Sequence, residues 1–167
     1  MHAHAQLYRW AREHCVRGLA RVDELVHSAN TKTEHARAEA VVPAKVLIVD
    51  DDEILCEAME LTLGREGLEI AWVGAAQDAL DRLRAADFDF DVIITDMTMP
   101  VMGGLELCEH VQALRADVPV IMLSGHATVE AAASARRAGV FDYLVKPVNA
   151  KVLSVAVEAA IRHRHGI

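Results

Sequence analysis

From Lys45 to the carboxyl end, the sequence alternates short aliphatic runs with stretches in which apolar residues recur every three or four positions. The runs Lys45 to Val49, Leu68 to Val73, Val92 to Thr95, Val120 to Leu123 and Val140 to Val145 are rich in β-branched and aliphatic residues. They lack polar alternation, which predicts strands buried on both faces. The stretches between them predict amphipathic helices over roughly Glu53 to Glu66, Ala76 to Ala85, Leu105 to Ala116, Val129 to Ala138 and Ala150 to His163. Asp52, Gly74 to Ala75, Thr128 and Asn149 stand where these helices would begin, and Gly67 and Gly139 where C-caps would fall. Strand and helix in regular alternation predict an α/β domain, a doubly wound (βα)5 parallel sheet with helices on both faces.

Upstream the pattern is different. Between Gln6 and Ser28 the apolar residues Tyr8, Cys15, Leu19, Val22 and Val26 share one helical face. Such a helix would dock on the neighbouring domain, pair with its copy in a homodimer, or bind a separate partner. Residues 30–42 are polar, rich in Ala, Glu and Arg, and close on Pro43, as in a linker or a frayed helix. The chain therefore divides into an N-terminal helical extension and linker, residues 1–43, and a domain over residues 44–167. His2, His4, His14, His27 and His35 do not gather on one helical face, so no metal site is expected there.

A length of 167 residues has room for one domain and a short appendage, and an apolar fraction of 53% supports a buried core. No apolar run approaches the roughly 20 residues that a membrane span needs. The amino terminus also lacks the pattern of a secretory signal, so a cytoplasmic protein is expected. Cys15, Cys56 and Cys108 are widely spaced and form no CxxC, which suggests neither a disulfide framework nor a thiolate metal site. Residues 45–167 hold eleven basic and twenty acidic side chains. That excess opposes direct binding of nucleic acid.

Ligands of an open parallel sheet bind beyond the carboxyl ends of its strands, so those ends carry the chemistry. The first strand ends in Asp50, Asp51 and Asp52, the third in Asp96, the fourth in Ser124 and Gly125, and the fifth in Lys146 and Pro147. Clustered carboxylates repel one another unless a cation joins them, and hard oxygen donors with room for water suit Mg²⁺. A lysine and a hydroxyl on the same rim suit an anionic ligand, here a phosphoryl group. Asp96, alone at the central strand end, is the natural nucleophile for in-line attack on phosphorus.

The segments VLIVDDD (46–52), DVIITDMTMPVMGGLEL (91–107), VPVIMLSGHAT (118–128) and AGVFDYLVKPV (138–148) resemble the receiver domains of bacterial two-component response regulators. The resemblance covers essentially all of residues 45–163. It implies a flavodoxin-like sheet in the order 2-1-3-4-5. It also implies that Asp50 and Asp51 organise Mg²⁺, Asp51 the more directly, and that Asp96 accepts the phosphoryl group. The backbone carbonyl of Thr98 would be a further metal ligand, Ser124 would close on the phosphoryl group, and Lys146 would be the family's lysine. Tyr143 matches an aromatic whose rotation accompanies activation, and Thr98 and His126 match positions that tune phosphoryl lifetime. The implied switch begins with added charge at Asp96, which draws Ser124 inward. Tyr143 then turns into the vacated space, altering the face of the fourth helix, fifth strand and fifth helix.

The partners so implied are a sensor histidine kinase or a histidine phosphotransferase as donor, and a downstream protein target. The chain would act as a phosphoacceptor, not as a turnover enzyme. A phosphohydrolase of the haloacid-dehalogenase type would need Asp-x-Asp after its first strand, whereas Asp96-Met97-Thr98 lacks the second acid. A receiver fold that takes no phosphate would not need the full set of side chains present here. With the chain stopping at Ile167, four residues beyond the last predicted helix, the signal is expected to pass through a protein surface, in a stand-alone relay or in a regulator without its output domain.

Overall fold

The computed structural model describes residues 42–126 and 128–167. The amphipathic segment at 6–28, the five upstream histidines and nearly all of the 1–43 extension lie outside the described residues. Ten elements alternate: β1 (Lys45–Val49), α1 (Glu53–Gly64), β2 (Glu69–Val73), α2 (Ala76–Arg84), β3 (Val92–Asp96), α3 (Gly104–Leu114), β4 (Val120–Ser124), α4 (Val129–Arg137), β5 (Asp142–Val145) and α5 (Ala150–His165). The five strands are parallel in the order β2-β1-β3-β4-β5, as the resemblance implies.

Successive strand residues point to opposite faces of the sheet, so each aliphatic run feeds two cores at once. On one face Val46, Ile48, Val92, Ile94, Ile121 and Leu123 pack with Cys56, Met59 and Leu63 of α1 and Leu153, Ala156 and Val157 of α5. On the other, Leu47, Val49, Ile93, Val120 and Met122 pack with residues of α2, α3 and α4, among them Leu80, Leu83, Leu107, Val111 and Ala135. Among the described residues, no helix is long and apolar enough to cross a membrane.

The helix starts follow the expected residues. Asp52, Thr128 and Asn149 accept the N–H groups of Leu55, Ala131 and Lys151, satisfying donors that a helix cannot pair internally. Ala75 and Gly103 precede α2 and α3 without a side-chain cap.

Most element ends shift by one or two residues, and three of the shifts have a clear local cause. Gly139, at φ +82°, terminates α4 with the paired bonds Gly139 N–H to Arg136 O and Val140 N–H to Ala135 O. That closure spends the Val140 amide on the helix, so β5 begins at Asp142 and not at Val140. Helix α1 stops at Gly64, because Glu66 and Gly67 turn back with three-residue bonds to Leu63 and Gly64. Gly67 thus shapes the turn after the helix and is not its C-cap. Helix α5 continues to His165, where Gly166 at φ +68° ends it.

Candidate functional site

The chain winds from β1 outward to β2, then returns to place β3 on the other side of β1. The sheet's switch point therefore lies at the carboxyl ends of β1 and β3, where Asp50 and Asp96 stand. Pairing continues past the strand ends. The Asp50 amide donates to Val73 O, the Met97 amide to Leu123 O and the Lys146 amide to Ser124 O. These bonds fix where the three side chains emerge.

Asp50 is 1% exposed and Asp96 7%. One oxygen of Asp50 accepts the Asp52 amide at 2.9 Å, and the other takes the Lys146 ammonium at 2.8 Å. The same ammonium lies 2.7 Å from Asp96 Oδ1, while Asp96 Oδ2 accepts the Thr98 amide at 2.9 Å. One lysine thus bridges the ends of β1 and β3. Burial alone would lower the Lys146 pKa, but its hydrogen bonds to Asp50 and Asp96 and their charge outweigh that and hold it above the ordinary lysine value. Asp51 stands exposed beside the pair, and one oxygen from each of Asp50, Asp51 and Asp96 falls within a 4.8 Å span. Hard carboxylate oxygens so grouped, with one ligand open to water, fit Mg²⁺. Thr98 meets Asp96 through its amide.

Beneath the acid run, the Cys56 thiol donates to the Asp50 carbonyl at 3.5 Å, and burial first, then the charges of Asp50 and Asp52, push it up to about 11. A protonated thiol is therefore part of the packing here and not a nucleophile.

Two features of the site have little sequence signal. A Cβ built on Gly104 would lie 2.2 Å from the Asp96 carbonyl oxygen, so α3 begins in direct backbone contact with the end of β3. Its place in a Gly103-Gly104 pair is the only clue the sequence offers. Asp52, beyond the acid pair, orients Asp50 through its amide while its own side chain caps α1.

The Ser124 hydroxyl faces the main chain of His126, donating to its carbonyl and accepting from its amide, each at 3.1 Å. Tyr143 meets the same loop. Its ring is buried, 7% exposed, and its hydroxyl donates to the same His126 carbonyl at 2.8 Å. The aromatic thus sits inward. The reason is local: the Ser124 side chain carries no methyl and is folded back on the loop. The His126 carbonyl meanwhile satisfies a phenol that burial would otherwise leave unpaired. The His126 side chain is exposed.

Comparison with known proteins agrees with this arrangement. The family model described as the response regulator receiver domain matches residues 46–158. The transcriptional regulatory protein ZraR of Escherichia coli K12 is 31% identical over 122 residues, covering 73% of this chain and 27% of that protein. The response regulator protein PilR of Pseudomonas aeruginosa is 36% identical over 121 residues, 72% of this chain and 27% of that protein. The chain therefore spans about a quarter of the length of these relatives. A crystal structure of a response regulator receiver domain protein from Clostridium thermocellum superposes with a TM-score of 0.69 at 31% identity, covering 73% of this chain and 97% of that one. Sheet order, strand-end chemistry and sequence similarity converge, and the chain belongs to the response regulator receiver domain family.

Proposed function

We propose that the domain is a phosphoacceptor in two-component signalling, taking a phosphoryl group on Asp96 from a histidine kinase or a histidine phosphotransferase. The observation that carries this reading is the Lys146 bridge, one ammonium 2.8 Å from Asp50 and 2.7 Å from Asp96 at the sheet's switch point. A buried carboxylate paired in this way is fixed in direction and already faces a cation that can receive an anionic ligand.

In the proposed reaction an Asp96 oxygen attacks phosphorus, a P–O bond forms, and the P–N bond to the donor imidazole breaks with its electron pair leaving on nitrogen. Lys146 stays within reach of Asp96 and turns from Asp50 toward the incoming oxygens. The Thr98 amide holds the second Asp96 oxygen in place. Ser124 leaves the His126 carbonyl and donates to the phosphoryl group. Asp50, Asp51 and Asp96, with the Thr98 carbonyl, would hold Mg²⁺, which when bound supplies positive charge to the phosphoryl oxygens. His126 and Thr98 flank the product and would set its lifetime.

The chain in this reading is a phosphoacceptor that promotes its own modification and slow hydrolysis, not an enzyme acting on a separate substrate. A place in the cytoplasm follows from that role. The relatives named above are regulators several times longer, so the receiver's signal is proposed to reach a protein target, through another domain or a separate chain. The test is Asp96→Asn with acetyl phosphate and Mg²⁺, read by intact mass. Wild type gains one phosphoryl group that alkali and hydroxylamine remove, and the variant gains none. Equal labelling of the variant would sink the proposal.

A further inference from the structure

The outward face of α1 is unusual for a solvated helix. Cys56, Met59 and Leu63 turn into the core. Ile54 and Leu61, seven residues apart and therefore on one line of the helix, point the other way and are 81% and 62% exposed. Glu53, Glu57 and Glu60 are also exposed and run along one side of that line, and Arg65 comes only at the helix end. An apolar line edged by carboxylates fits an amphipathic helix that carries cations beside its apolar face.

The chain itself supplies such a segment. Residues 6–28 set Tyr8, Cys15, Leu19, Val22 and Val26 at one helical face, with Arg9 and Arg12 on one side of it; Glu13, Asp23 and Glu24 offset most of the charge of the segment's four arginines. The attachment point is favourable. The Ala44 carbonyl accepts the Glu69 amide at 2.9 Å and Lys45 pairs with Glu69. The extension therefore joins the domain at the end of the sheet where α1 finishes. Residues 28–42 can span up to ~46 Å when extended, against ~18 Å for the length of α1. A tether of this kind gives a local concentration on the order of millimolar, so a contact too small to hold a separate partner is sufficient.

We propose that residues 6–28 dock as a helix on the outward face of α1, over Ile54 and Leu61, with Arg9 and Arg12 toward Glu53, Glu57 and Glu60. Asp51 and Asp52 stand within a turn of Ile54, so the docked segment borders the acid rim and competes there with protein-sized ligands.

The native Cys15 provides the test, because Cys56 and Cys108 are buried. In the full-length chain, Ala58→Cys places a thiol beside Ile54 and Leu61, and Glu109→Cys places one on α3, across the sheet. Under mild oxidation at low micromolar protein, the intramolecular 15–58 disulfide is expected to form at least ten times faster than 15–109, read by peptide mass mapping. Adding Ile54→Glu and Leu61→Glu should abolish the advantage, with an unchanged circular dichroism spectrum showing that the domain still folds. Equal rates at the two positions, no disulfide at either, or an advantage that survives the two glutamates would overturn the proposal. Exclusively intermolecular disulfides would overturn it in favour of a second copy on α1.

Discussion

Gly104→Ala is the sharpest perturbation of the site that touches none of its side chains. The added Cβ would lie 2.2 Å from the Asp96 carbonyl oxygen, 3.0 Å from its carbonyl carbon and 3.2 Å from Met97 Cα. All three atoms are backbone, so no side chain can rotate away. Restoring contact to 3.0 Å requires on the order of 1 Å of movement between the end of β3 and the start of α3. Overpacking of this kind costs about 1–3 kcal/mol, and the gain of alanine over glycine in a helix returns at most about 1 kcal/mol. A net loss of about 2 kcal/mol is expected in urea unfolding, with the m value unchanged. Because Asp96 itself is displaced, phosphoryl uptake from acetyl phosphate should fall by about 100-fold. Gly64→Ala is the matched control. Nothing lies within 4 Å of its added Cβ, and it should gain about 0.5 kcal/mol with uptake unaltered. A Gly104→Ala protein with wild-type stability and wild-type uptake would refute the close backbone approach as what fixes Asp96.

Three further outcomes follow from the same geometry. Val101 adopts φ +70° with its side chain fully exposed, and the amide of Met102 donates back to Pro100 O across it. Val101→Asn should therefore raise stability by about 1 kcal/mol, and a lower urea midpoint would count against strain there. Lys146 has its folded pKa raised above the ordinary value of 10.5, so its contribution to stability is complete below that value and is lost as pH rises through the folded pKa. In metal-free protein, wild type should lose stability above about pH 10.5 more steeply than Lys146→Met, and parallel alkaline limbs would contradict the bridge. For Tyr143, fluorotyrosine NMR in a Tyr8→Phe background should show one buried ring environment with or without beryllofluoride and Mg²⁺. Tyr143→Phe should cost about 1 kcal/mol. A ring that becomes protected only on adding beryllofluoride would instead bear out the rotation that the resemblance implies.

The fold and the membership of the site were legible because both depend on strand register. Apolar runs at 45–49, 92–95 and 120–123 cannot be shifted by one residue without turning side chains out of a core, so the positions of Asp50, Asp96 and Ser124 at one rim follow from the pattern. The helix starts at Asp52, Thr128 and Asn149 were legible for a similarly local reason, since each side chain caps amides two or three residues ahead. The ends were less so. Whether Gly67 caps α1 or shapes the turn beyond it depends on which carbonyl the neighbouring amides select, a choice of small energy with no sequence period. Gly104 was hidden differently: its close contact is with the backbone of Asp96, and a missing side chain leaves no pattern.

The inward position of Tyr143 was not legible at all, and the reason bears on how the domain would signal. Ser124, Tyr143 and the Thr128 amide all donate to the His126 carbonyl, an acceptor with two lone pairs. Their competition at one atom, and not side-chain size alone, decides whether the phenol is held inward. If Ser124 turns to a phosphoryl group on Asp96, it leaves that carbonyl to Tyr143 and Thr128, and the Tyr143 bond loses a competitor. Phosphorylation would then strengthen the hydrogen bond that holds the ring inward. The change transmitted to β5 and its neighbouring helices would be in rigidity more than in position, because a buried ring that keeps its rotamer displaces nothing around it. Any signal larger than that must come from elements outside the sheet, among them the acid-edged face of α1, whose Ile54 and Leu61 the core leaves uncovered.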